Sequence, residues 1–365
     1  AATLSIAEQQ LVEILRGLMR NAKLLILDEP TSSLTFNEVE SLFQMVHRLK
    51  SQNISIIYIT HRLNEVFEIA DRAIIMSDGV ITLNKPITDV THQMLVQGLL
   101  PPDAQYCENN YCSFFVDRSV EPTLKVENLC GYGFHDVSFE VYPGEILGIA
   151  GIVGAGRTEL ATSIFGKDVI KSGKVYLDGE DITGLKTREV MEKGLNYVPE
   201  DRFLNGIFCI STVAENTTAA CLAGVKNKAG LLCQKKERDI TNHYIDSFHT
   251  KVTGCDQMMG SLSGGNQQKV VIGRALAINP KLIILDEPTR GIDAAARADV
   301  YTIIQQLREQ GLAILLISSD MEEIIELSDR ALTMFSGRIN KEFERKDIHQ
   351  DQLMSAAFGL GGKEK

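Results

Sequence analysis

The clearest hydrophobic pattern in the chain lies in residues 262–293. The segment 263–277 opens with Ser-Gly-Gly and predicts a helix. The run 282–285 is continuously apolar and predicts a parallel strand that is covered on both faces. Asp286 and Glu287 follow where this strand ends, which is where open α/β sheets place their ligands. The pattern therefore predicts a helix, a buried strand and two carboxylates at a ligand-binding edge.

The same pattern occurs near the start of the chain. Residues 4–31 align without a gap on residues 262–289, so that Leu4 and Leu262 stand 258 positions apart. The offset still holds farther on, where residues 71–72 match residues 329–330. A long internal repeat of this kind predicts two copies of one domain.

The two copies are unequal in length. We expect residues 1–98 to hold only the C-terminal part of a first domain, without a phosphate-binding loop. Residues 122–365 are expected to form a complete second domain, and the polar, proline-flanked segment 99–121 is interpreted as a linker. Both parts are predicted to be α/β, with a mixed or parallel sheet as the core, and the second part also has a helical, irregular segment at 203–260.

The first part is expected to leave one sheet edge unpaired. The strands that would complete a sheet beside residues 24–27 are missing from it, and an apolar edge without a partner favours association. We therefore expect the chain to be marginally soluble. The elements predicted for this part are helices at 8–20, 37–51 and 63–70 and strands at 23–27, 54–60, 73–76 and 80–83, and the second part is predicted to end with a helix at 296–309 and a strand at 313–318.

A phosphate-binding loop is predicted at residues 151–158, after an apolar strand at 146–150 and before a helix. The residues fit the pattern GxxxxGK[ST], with Arg157 in place of lysine. Glycines let backbone N–H groups surround phosphate oxygens, and a helix N-terminus faces the anion. Thr158 would supply a hydroxyl for Mg²⁺. The planar guanidinium of Arg157 keeps the charge but cannot sit in the loop as an ammonium does.

Composition narrows the class of protein further. Hydrophobic residues make up 44% and charged residues 23% of the chain, as in ordinary soluble proteins. The net charge of −11, without a basic stripe, argues against a nucleic-acid partner. The seven cysteines lack CxxC spacing and favour a reducing compartment. No apolar run reaches the ~18 residues of a membrane span, so any membrane association would go through a partner.

The order of three motifs carries a resemblance to a known family. The loop at 151–158 is followed by LSGGN at 262–266 and by LDEPT at 285–289. On these motifs the chain resembles ABC-type ATPases, in particular the tandem ATPases of ribose- and galactoside-class sugar importers. Sequences such as those at 12–20 and 199–202 look closest to the ATPases of autoinducer-2 importers. The resemblance covers all of the chain except the linker and implies tandem P-loop nucleotide-binding domains, the first incomplete.

The resemblance implies two unequal nucleotide sites, because in that family each nucleotide lies between the loop of one domain and the LSGGQ-like helix of the other. The first site would use Asp28 to hold Mg²⁺ through water, Glu29 as the base for the attacking water and His61 as the γ-phosphate switch. We expect the hydroxyl of the first helix residue to cap the helix and its glycines to admit phosphate. The helix residues assigned to this site are Ser263, Gly264, Gly265, Asn266 and Gln267.

The second site would combine its own loop with residues 4–9. Mg²⁺ would be held by Thr158, Asp286 and Glu200, with Glu287 as the base. The loop residues assigned to nucleotide binding are Gly151, Ile152, Val153, Gly154, Ala155, Gly156, Arg157, Thr158 and Glu159, together with Glu200.

Four departures from the family pattern weaken the second site. Arg157 replaces lysine, Glu200 stands where glutamine is usual, Ser319 stands where histidine is expected, and Ile6-Ala7 replace two glycines. A single lost charge-stabilising donor typically costs roughly 10²–10³ in rate. We expect this site to bind ATP but to hydrolyse it poorly, and the chain as a whole to show little hydrolysis.

The same resemblance implies partners and a location. An importer ATPase works with ATP and Mg²⁺ at the cytoplasmic face of the bacterial plasma membrane, bound to integral membrane permease subunits. Through them it serves a periplasmic or extracellular solute-binding protein, here most closely of the autoinducer-2 class, with ribose or galactosides as the alternative. Two other interpretations stay open: a soluble tandem ATPase acting on ribosomes or nucleic acid, and a truncated nucleotide-binding module without transport activity.

Overall fold

The described part of the chain forms two compact units in the computed structural model. The first unit holds the described residues up to 95, and the second holds nearly all of those from 116 onward. The structure describes residues 12, 16, 22–31, 36–60, 63–77, 79–91, 94–95, 116–152, 154–227 and 230–359.

Strands and helices alternate in both units. The strands are β1 (Leu24–Asp28), β2 (Ser55–Ile59), β3 (Arg72–Ser77), β4 (Val80–Pro86), β5 (Leu124–Cys130), β6 (Val137–Val141), β7 (Ile146–Gly151), β8 (Ser172–Leu177), β9 (Glu180–Asp181), β10 (Leu195–Val198), β11 (Leu282–Asp286), β12 (Ala313–Ser318), β13 (Arg330–Phe335) and β14 (Arg338–Glu344). The helices are α1 (Phe36–Ser51), α2 (Leu63–Ile69), α3 (Arg157–Ile164), α4 (Thr187–Lys193), α5 (Val213–Thr218), α6 (Leu222–Val225), α7 (Gln234–Ser247), α8 (Gly264–Leu276), α9 (Ala294–Glu309), α10 (Met321–Leu327) and α11 (Gln350–Ala357).

A six-stranded sheet forms the centre of the second unit, in the order β10-β11-β12-β7-β13-β14. Its neighbouring strands are parallel except for β13 and β14, which form an antiparallel hairpin. A separate antiparallel sheet has the order β6-β5-β8-β9. The parallel order places the ends of β7, β12, β11 and β10 at one edge, where the predicted site residues follow.

The central sheet is buried on both faces. Ile283 and Leu285 of β11 pack in one cluster with residues of α8 and α9. Leu282 and Ile284 pack in a second cluster with residues of α3 and of the antiparallel sheet. All four side chains are fully buried, which confirms the prediction of a strand covered on both faces.

The segment between β10 and α8 is mainly helical. It contains a π-helical turn (Arg202–Gly206), α5, α6, α7 and a 3₁₀ turn (Met259–Ser261). Asn216 is buried on α5, and its side-chain amide donates to the carbonyl oxygens of Phe208 and Thr212, both at 3.0 Å. Its Oδ1 accepts from the Phe208 amide at 2.8 Å. Asn216 therefore fixes the chain that precedes α5.

The first unit repeats the last elements of the second. Its elements β1, α1, β2, α2, β3 and β4 begin 258 positions before β11, α9, β12, α10, β13 and β14, as Leu24 and Leu282 illustrate. β1 and β2 are parallel, and β3 and β4 form an antiparallel hairpin with a bulge after Ile75. The equivalent hairpin has its bulge after Thr333. The repeat in the sequence is therefore also a repeat of elements.

One face of the β1–β2 sheet differs from its counterpart in burial. Leu25 and Leu27 are buried on the other face. On the open face, Ile26 is 60% exposed, whereas its counterpart Ile284 is 0% exposed. An exposed face of aliphatic side chains is a surface that associates. The exposed residues are Leu24, Ile26, Ile57 and Ile59, and their buried counterparts are Leu282, Ile284, Leu315 and Ile317.

The structure corrects several element boundaries. β4 extends to Pro86 and α9 begins at Ala294, where the sequence predicts 83 and 296. The pattern did not predict β8, β9, β13 or β14 in the second unit. β9 is short and β8 and β14 mix buried with exposed positions, which is a weaker signal than a continuous apolar run. β13 is buried over its first five residues, but Arg330 and Thr333 interrupt its apolar run. Within the described residues, no helix combines the length and the apolarity of a membrane span.

We predict that Ile26→Thr reduces self-association of the chain. The side chain is already exposed, so the free energy of unfolding should change by less than about 1 kcal/mol. Light scattering over a concentration series measures the association, and urea unfolding measures the stability.

The matched control is Ile284→Thr, 258 positions later. This change places a hydroxyl in a fully buried cluster, and we expect it to lower the free energy of unfolding by about 2–4 kcal/mol. Unchanged association in Ile26→Thr, or equal destabilisation by both variants, would contradict the difference in burial.

Candidate functional site

The loop after β7 has the backbone that a phosphate-binding loop needs. Gly154 and Gly156 adopt positive φ angles of 83° and 94°, which favour glycine. A Cβ at Gly156 would lie 2.3 Å from the carbonyl oxygen of Gly133. α3 begins directly afterwards, at Arg157, so the free N–H groups of its first turn point toward the loop.

Asp286, at the end of β11, is fully buried beside this loop. Its Oδ2 accepts a hydrogen bond from the Tyr197 hydroxyl at 2.9 Å, and the Thr158 hydroxyl lies near enough to lower the pKa of the carboxylate. Burial raises the pKa of Asp286 to about 6, although the two hydroxyls oppose the shift. Its Oδ1 is buried without a hydrogen-bond partner. One carboxylate oxygen is thus held in place, and the other is left for a ligand.

Glu287 is held from three directions. Its backbone has a φ of 48° and its N–H donates to the Ile317 carbonyl at 2.8 Å. The carboxylate Oε1 accepts from the Ser319 amide at 2.7 Å and from Arg157 Nη2 at 3.2 Å. Burial raises the pKa of Glu287, whereas Arg157 and Ser319 lower it. The predicted base therefore forms an ion pair with the cation of the loop.

The Arg157 side chain is buried, and its guanidinium pairs with Glu287 as well as facing the loop interior. Its side chain is 7% exposed and that of Glu287 is 10% exposed. Its Nη1 is buried without a hydrogen-bond partner. Gly151 lies beside the arginine, because a Cβ there would be 3.2 Å from Arg157 Cδ and 2.7 Å from the Met334 carbonyl. The guanidinium thus has one nitrogen bound to the base and one free for an anion.

Glu200 and Arg202 follow β10 and are joined to the loop after β11. The Glu200 carboxylate forms an ion pair with Arg290. Arg202 Nη1 and Nη2 donate to the carbonyl oxygens of Arg290 and Gly291, both at 2.7 Å. These contacts fix the segment that follows Glu287.

The α8 terminus differs in one respect from what the sequence predicts. Ser263 is the N-cap residue, but its side chain makes no capping bond and instead accepts from the Asn266 amide at 2.8 Å. The expectation that the Ser263 hydroxyl caps the helix is therefore wrong, because the nearby amide competes for it. Gly265 has a packing role, since a Cβ there would lie 2.3 Å from Ala296 Cβ. Gln267 is buried and donates to the Met259 carbonyl at 3.3 Å.

The remaining predicted residues are distributed as follows. Ala155 and Ile152 close the loop turn, with a backbone hydrogen bond of 3.1 Å, and Glu159 lies in the first turn of α3. Gly264 lies beside Arg202, because a Cβ at this glycine would be 2.8 Å from Nη2 of the arginine. Val153, His61 and residues 4–9 lie outside the described residues.

Asp28 ends β1 in the first unit and Glu29 follows it, and both are exposed. The Glu29 N–H donates to the Ile59 carbonyl at 2.9 Å, and its φ is 44°. Glu287, its counterpart, makes the same backbone bond with nearly the same φ. The local backbone that presents the predicted base is therefore common to both units.

The donor atoms of this site suit a phosphate that carries a hard cation better than they suit a metal ion held by protein ligands alone. In the described part of the chain, no group of three or more His, Cys, Asp or Glu side chains is arranged to hold a metal ion. The free oxygen of Asp286 and the Thr158 hydroxyl are the oxygen ligands that Mg²⁺ prefers, and Mg²⁺ usually takes further oxygens from water and phosphate. Glu200 is engaged by Arg290.

Sequence reasoning missed the role of Tyr197. This tyrosine lies on β10, packs on Phe165 with ring centroids 5.4 Å apart and donates to Asp286 across 89 sequence positions. Its pKa is raised, mainly by burial and by the Asp286 charge. The signal available in the sequence was its place near the end of a strand, without any indication of the partner.

Comparison with known proteins gives consistent matches. The family model described as "ABC transporter" matches residues 1–32 and 134–290. The ribose import ATP-binding protein RbsA of Caldanaerobacter subterraneus subsp. tengcongensis is 43% identical over 357 residues, covering 98% of this chain and 71% of that protein. The autoinducer 2 import ATP-binding protein LsrA of Enterobacter sp. strain 638 is 40% identical over 368 residues, covering 98% and 73%.

A solved structure described as a nucleotide-free ATP-binding cassette from an ABC transporter has the same fold. It superimposes with a TM-score of 0.54 at 26% identity, and the match covers 64% of this chain and 96% of that one.

Asp286→Asn is predicted to stabilise the chain at neutral pH. The pKa of Asp286 is raised to about 6 in the folded state, above its value in an unfolded chain, so the folded state favours the protonated form. The contribution of this carboxyl to stability is therefore full below about pH 4 and is lost as the pH rises through 6. We expect Asp286→Asn to raise the free energy of unfolding by about 2–3 kcal/mol at pH 7.5 and to have little effect at pH 4.

Urea unfolding at both pH values, in EDTA and without nucleotide, measures this difference. Asp28→Asn is the matched control, because Asp28 is exposed at the equivalent position, and it should gain no stability at either pH. The prediction fails if Asp286→Asn has the same effect at pH 4 and at pH 7.5.

Proposed function

We propose that the chain, which belongs to the ABC transporter family of ATPases, is the ATP-binding and ATP-hydrolysing subunit of an importer for a sugar-like solute. The observation that carries the proposal is the pair of buried, unpartnered polar atoms at the site. Arg157 Nη1 and Asp286 Oδ1 carry opposite charges and both lack a partner. Leaving two such atoms buried is costly. A phosphate with its Mg²⁺ would satisfy both.

The chain's own residues divide the work of binding ATP. The N–H groups of the loop 151–158 and the start of α3 bind phosphate oxygens, and Arg157 Nη1 adds a positive charge. Asp286 and Thr158 hold Mg²⁺, which neutralises phosphate charge when it is bound. Tyr197 keeps Asp286 oriented through its hydrogen bond.

The second unit binds ATP but hydrolyses it slowly. A general base must be free to accept a proton from the attacking water, whereas the Glu287 carboxylate is occupied by Arg157 and by the Ser319 amide. Ser319 also has no ring nitrogen with which to contact the γ-phosphate. Slow hydrolysis in this unit therefore follows from the ion pair of Arg157 with Glu287 as well as from the departures from the family pattern.

In a relative whose first domain has its own phosphate-binding loop, the first unit would provide the main hydrolytic residues. Glu29 would act as the base, Asp28 would hold Mg²⁺ and His61 would contact the γ-phosphate. The support from the described residues is the shared backbone conformation at Glu29 and Glu287.

Membrane permease subunits are the proposed partners, and they would hold the chain at the cytoplasmic face of the membrane. An apolar rim in the helical part of the second unit supports this proposal. Its residues are exposed, and exposed apolar clusters mark interaction surfaces. Backbone bonds join the two segments that carry them, for example from the Met259 amide to the Ser211 carbonyl. The apolar rim consists of Phe203, Leu204, Phe208, Ile210 and Met258.

Autoinducer-2 is the proposed solute, with ribose as the second candidate. The relatives support both, since the ribose import protein is 43% identical and the autoinducer 2 import protein is 40% identical. The ATPase need not contact the solute, because recognition would lie in the permease and the solute-binding protein. Uptake assays with each permease and its binding protein decide between the two solutes.

We predict that phosphate release by the chain is slow, because residues 1–98 carry no phosphate-binding loop, and that the release which remains depends on Glu29 more than on Glu287. Glu29→Gln should lower turnover at least tenfold, because it removes the base, whereas Glu287→Gln should change it less than twofold. Both are conservative changes at positions 258 apart, so each serves as the control for the other. Binding of a fluorescent ATP analogue with Mg²⁺ should persist in both.

Activity that survives Glu29→Gln but not Glu287→Gln would reverse the assignment of the two units. Binding with negligible turnover in the unaltered chain would agree with a slow second site and with a first unit that has no phosphate-binding loop. Loss of binding altogether would contradict the proposed function.

Leu204→Glu is predicted to abolish co-purification with membrane permease subunits, because it places a charge in the apolar rim. The matched control is Val169→Glu, which changes a side chain of nearly equal exposure, 81% against 82%, outside the rim. ATP binding should be unchanged in both variants. Co-purification of unaltered chain with ribosomes instead of permease subunits would favour the soluble alternative.

A further inference from the structure

A buried glutamate joins two loops in the second unit. Glu323 of α10 is almost fully buried. Its Oε1 accepts a hydrogen bond from Thr289 Oγ1 at 2.8 Å, and the Ser318 hydroxyl lies near enough to lower the pKa of the carboxyl group, which burial raises. Thr289 follows β11, and Ser318 is the last residue of β12. The glutamate therefore bridges the ends of two neighbouring strands; we call this arrangement the carboxyl bridge.

The first unit contains the same bridge. Glu65 is buried on α2, and its Oε1 accepts from Thr31 Oγ1 at 2.6 Å. Its Oε2 accepts from Thr60 Oγ1 at 2.8 Å and from the Tyr58 hydroxyl at 3.0 Å. Thr31, Thr60 and Glu65 each stand 258 positions before Thr289, Ser318 and Glu323. Two units with different surroundings thus form the bridge from the same positions.

The bridge joins the two segments that carry the proposed chemistry. Thr289 lies two residues after the base Glu287, and Ser318 lies directly before Ser319, whose amide donates to Glu287 at 2.7 Å. In the first unit, Thr31 lies two residues after Glu29, and Thr60 directly precedes position 61.

Packing alone is a poor explanation of the bridge. A buried carboxyl group is costly unless its oxygens are satisfied, and an apolar side chain would fill the same space at lower cost. Here the cost is offset by hydroxyl donors from both strand ends, which an apolar side chain would not hold together. The hydrogen bonds to the glutamate therefore fix the distance between the two strand ends, which apolar packing would leave variable.

We propose that Glu65 and Glu323 are positioning residues, which set the geometry between the base and the residue at position 61 or 319 in each unit through the carboxyl bridge. This inference rests on the proposed function of Glu29 and Glu287. Neither glutamate touches the nucleotide; each acts through the two hydroxyls that it holds.

The kinetic test uses Thr31→Val and Thr31→Ser. Valine keeps the volume and removes the hydroxyl, whereas serine keeps the hydroxyl. We expect Thr31→Val to lower the turnover number for phosphate release about five- to tenfold while leaving the dissociation constant for ATP within about twofold, and Thr31→Ser to restore turnover. Thr289→Val is the matched change in the slow unit and should alter turnover less than twofold.

A structural test does not depend on hydrolysis. In Thr289→Val, amide hydrogen exchange should become faster in peptides that cover residues 286–292 and 316–322, and it should stay unchanged in the loop 151–164. Thr289→Ser should show the exchange of the unaltered chain. The same comparison for Thr31 tests the first unit.

The outcomes distinguish the role of the carboxyl bridge from the proposed hydrolysis. Faster exchange with no turnover in the unaltered chain would support the bridge and contradict the proposed hydrolysis. Normal exchange and normal turnover in both valine variants would overturn the bridge as a positioning device. A valine variant whose defect serine does not repair, or which weakens ATP binding without slowing turnover, would also overturn it.

Discussion

The parallel pairing of β7, β12 and β11 is the constraint on which the site depends. These strands run side by side in register, so the segments that follow them emerge at one edge. Arg157, Ser319 and Glu287 come from three such segments and meet in a single hydrogen-bonded cluster, although Arg157 and Glu287 lie 130 positions apart. The apolar residues that bury the sheet on both faces hold this edge rigid. The chemistry is local, but its geometry is set by the core.

The burial of charged groups at this edge of the sheet lowers the stability of the folded chain. Asp286 is fully buried and its pKa is raised to about 6, so its charged form at neutral pH opposes folding. Arg157 and Glu287 reduce the cost by pairing, yet one guanidinium nitrogen stays without a partner. Such unsatisfied groups are typical of functional sites, where the missing partner is a ligand. Under the proposed function, Arg157 in the position of the family's lysine would thus change both the phosphate contact and the freedom of the base.

The sequence predicted the parts that depend on local pattern. The apolar run of β11 and the glycine loop before α3 each follow from neighbouring residues, and each corresponds to an observed element. The parts that it missed depend on distant contacts. Tyr197 reaches Asp286 across 89 positions, Thr289 reaches Glu323 across 34, and the Ser263 hydroxyl is taken by Asn266 instead of the helix backbone. No periodicity encodes which of several possible partners a polar side chain will choose.

A slow nucleotide site can still contribute to the molecule through binding alone. A ligand that binds only the folded state stabilises it by an amount that grows with ligand concentration, about 2.7 kcal/mol at one hundred times the dissociation constant. In the second unit, phosphate and Mg²⁺ would meet the free atoms of Arg157 and Asp286, whose burial is unfavourable without them. The energy gained does not require Glu287 to act as a base. Under the proposed function, the loop glycines and Asp286 therefore serve binding, while the ion pair of Arg157 with Glu287 would limit turnover.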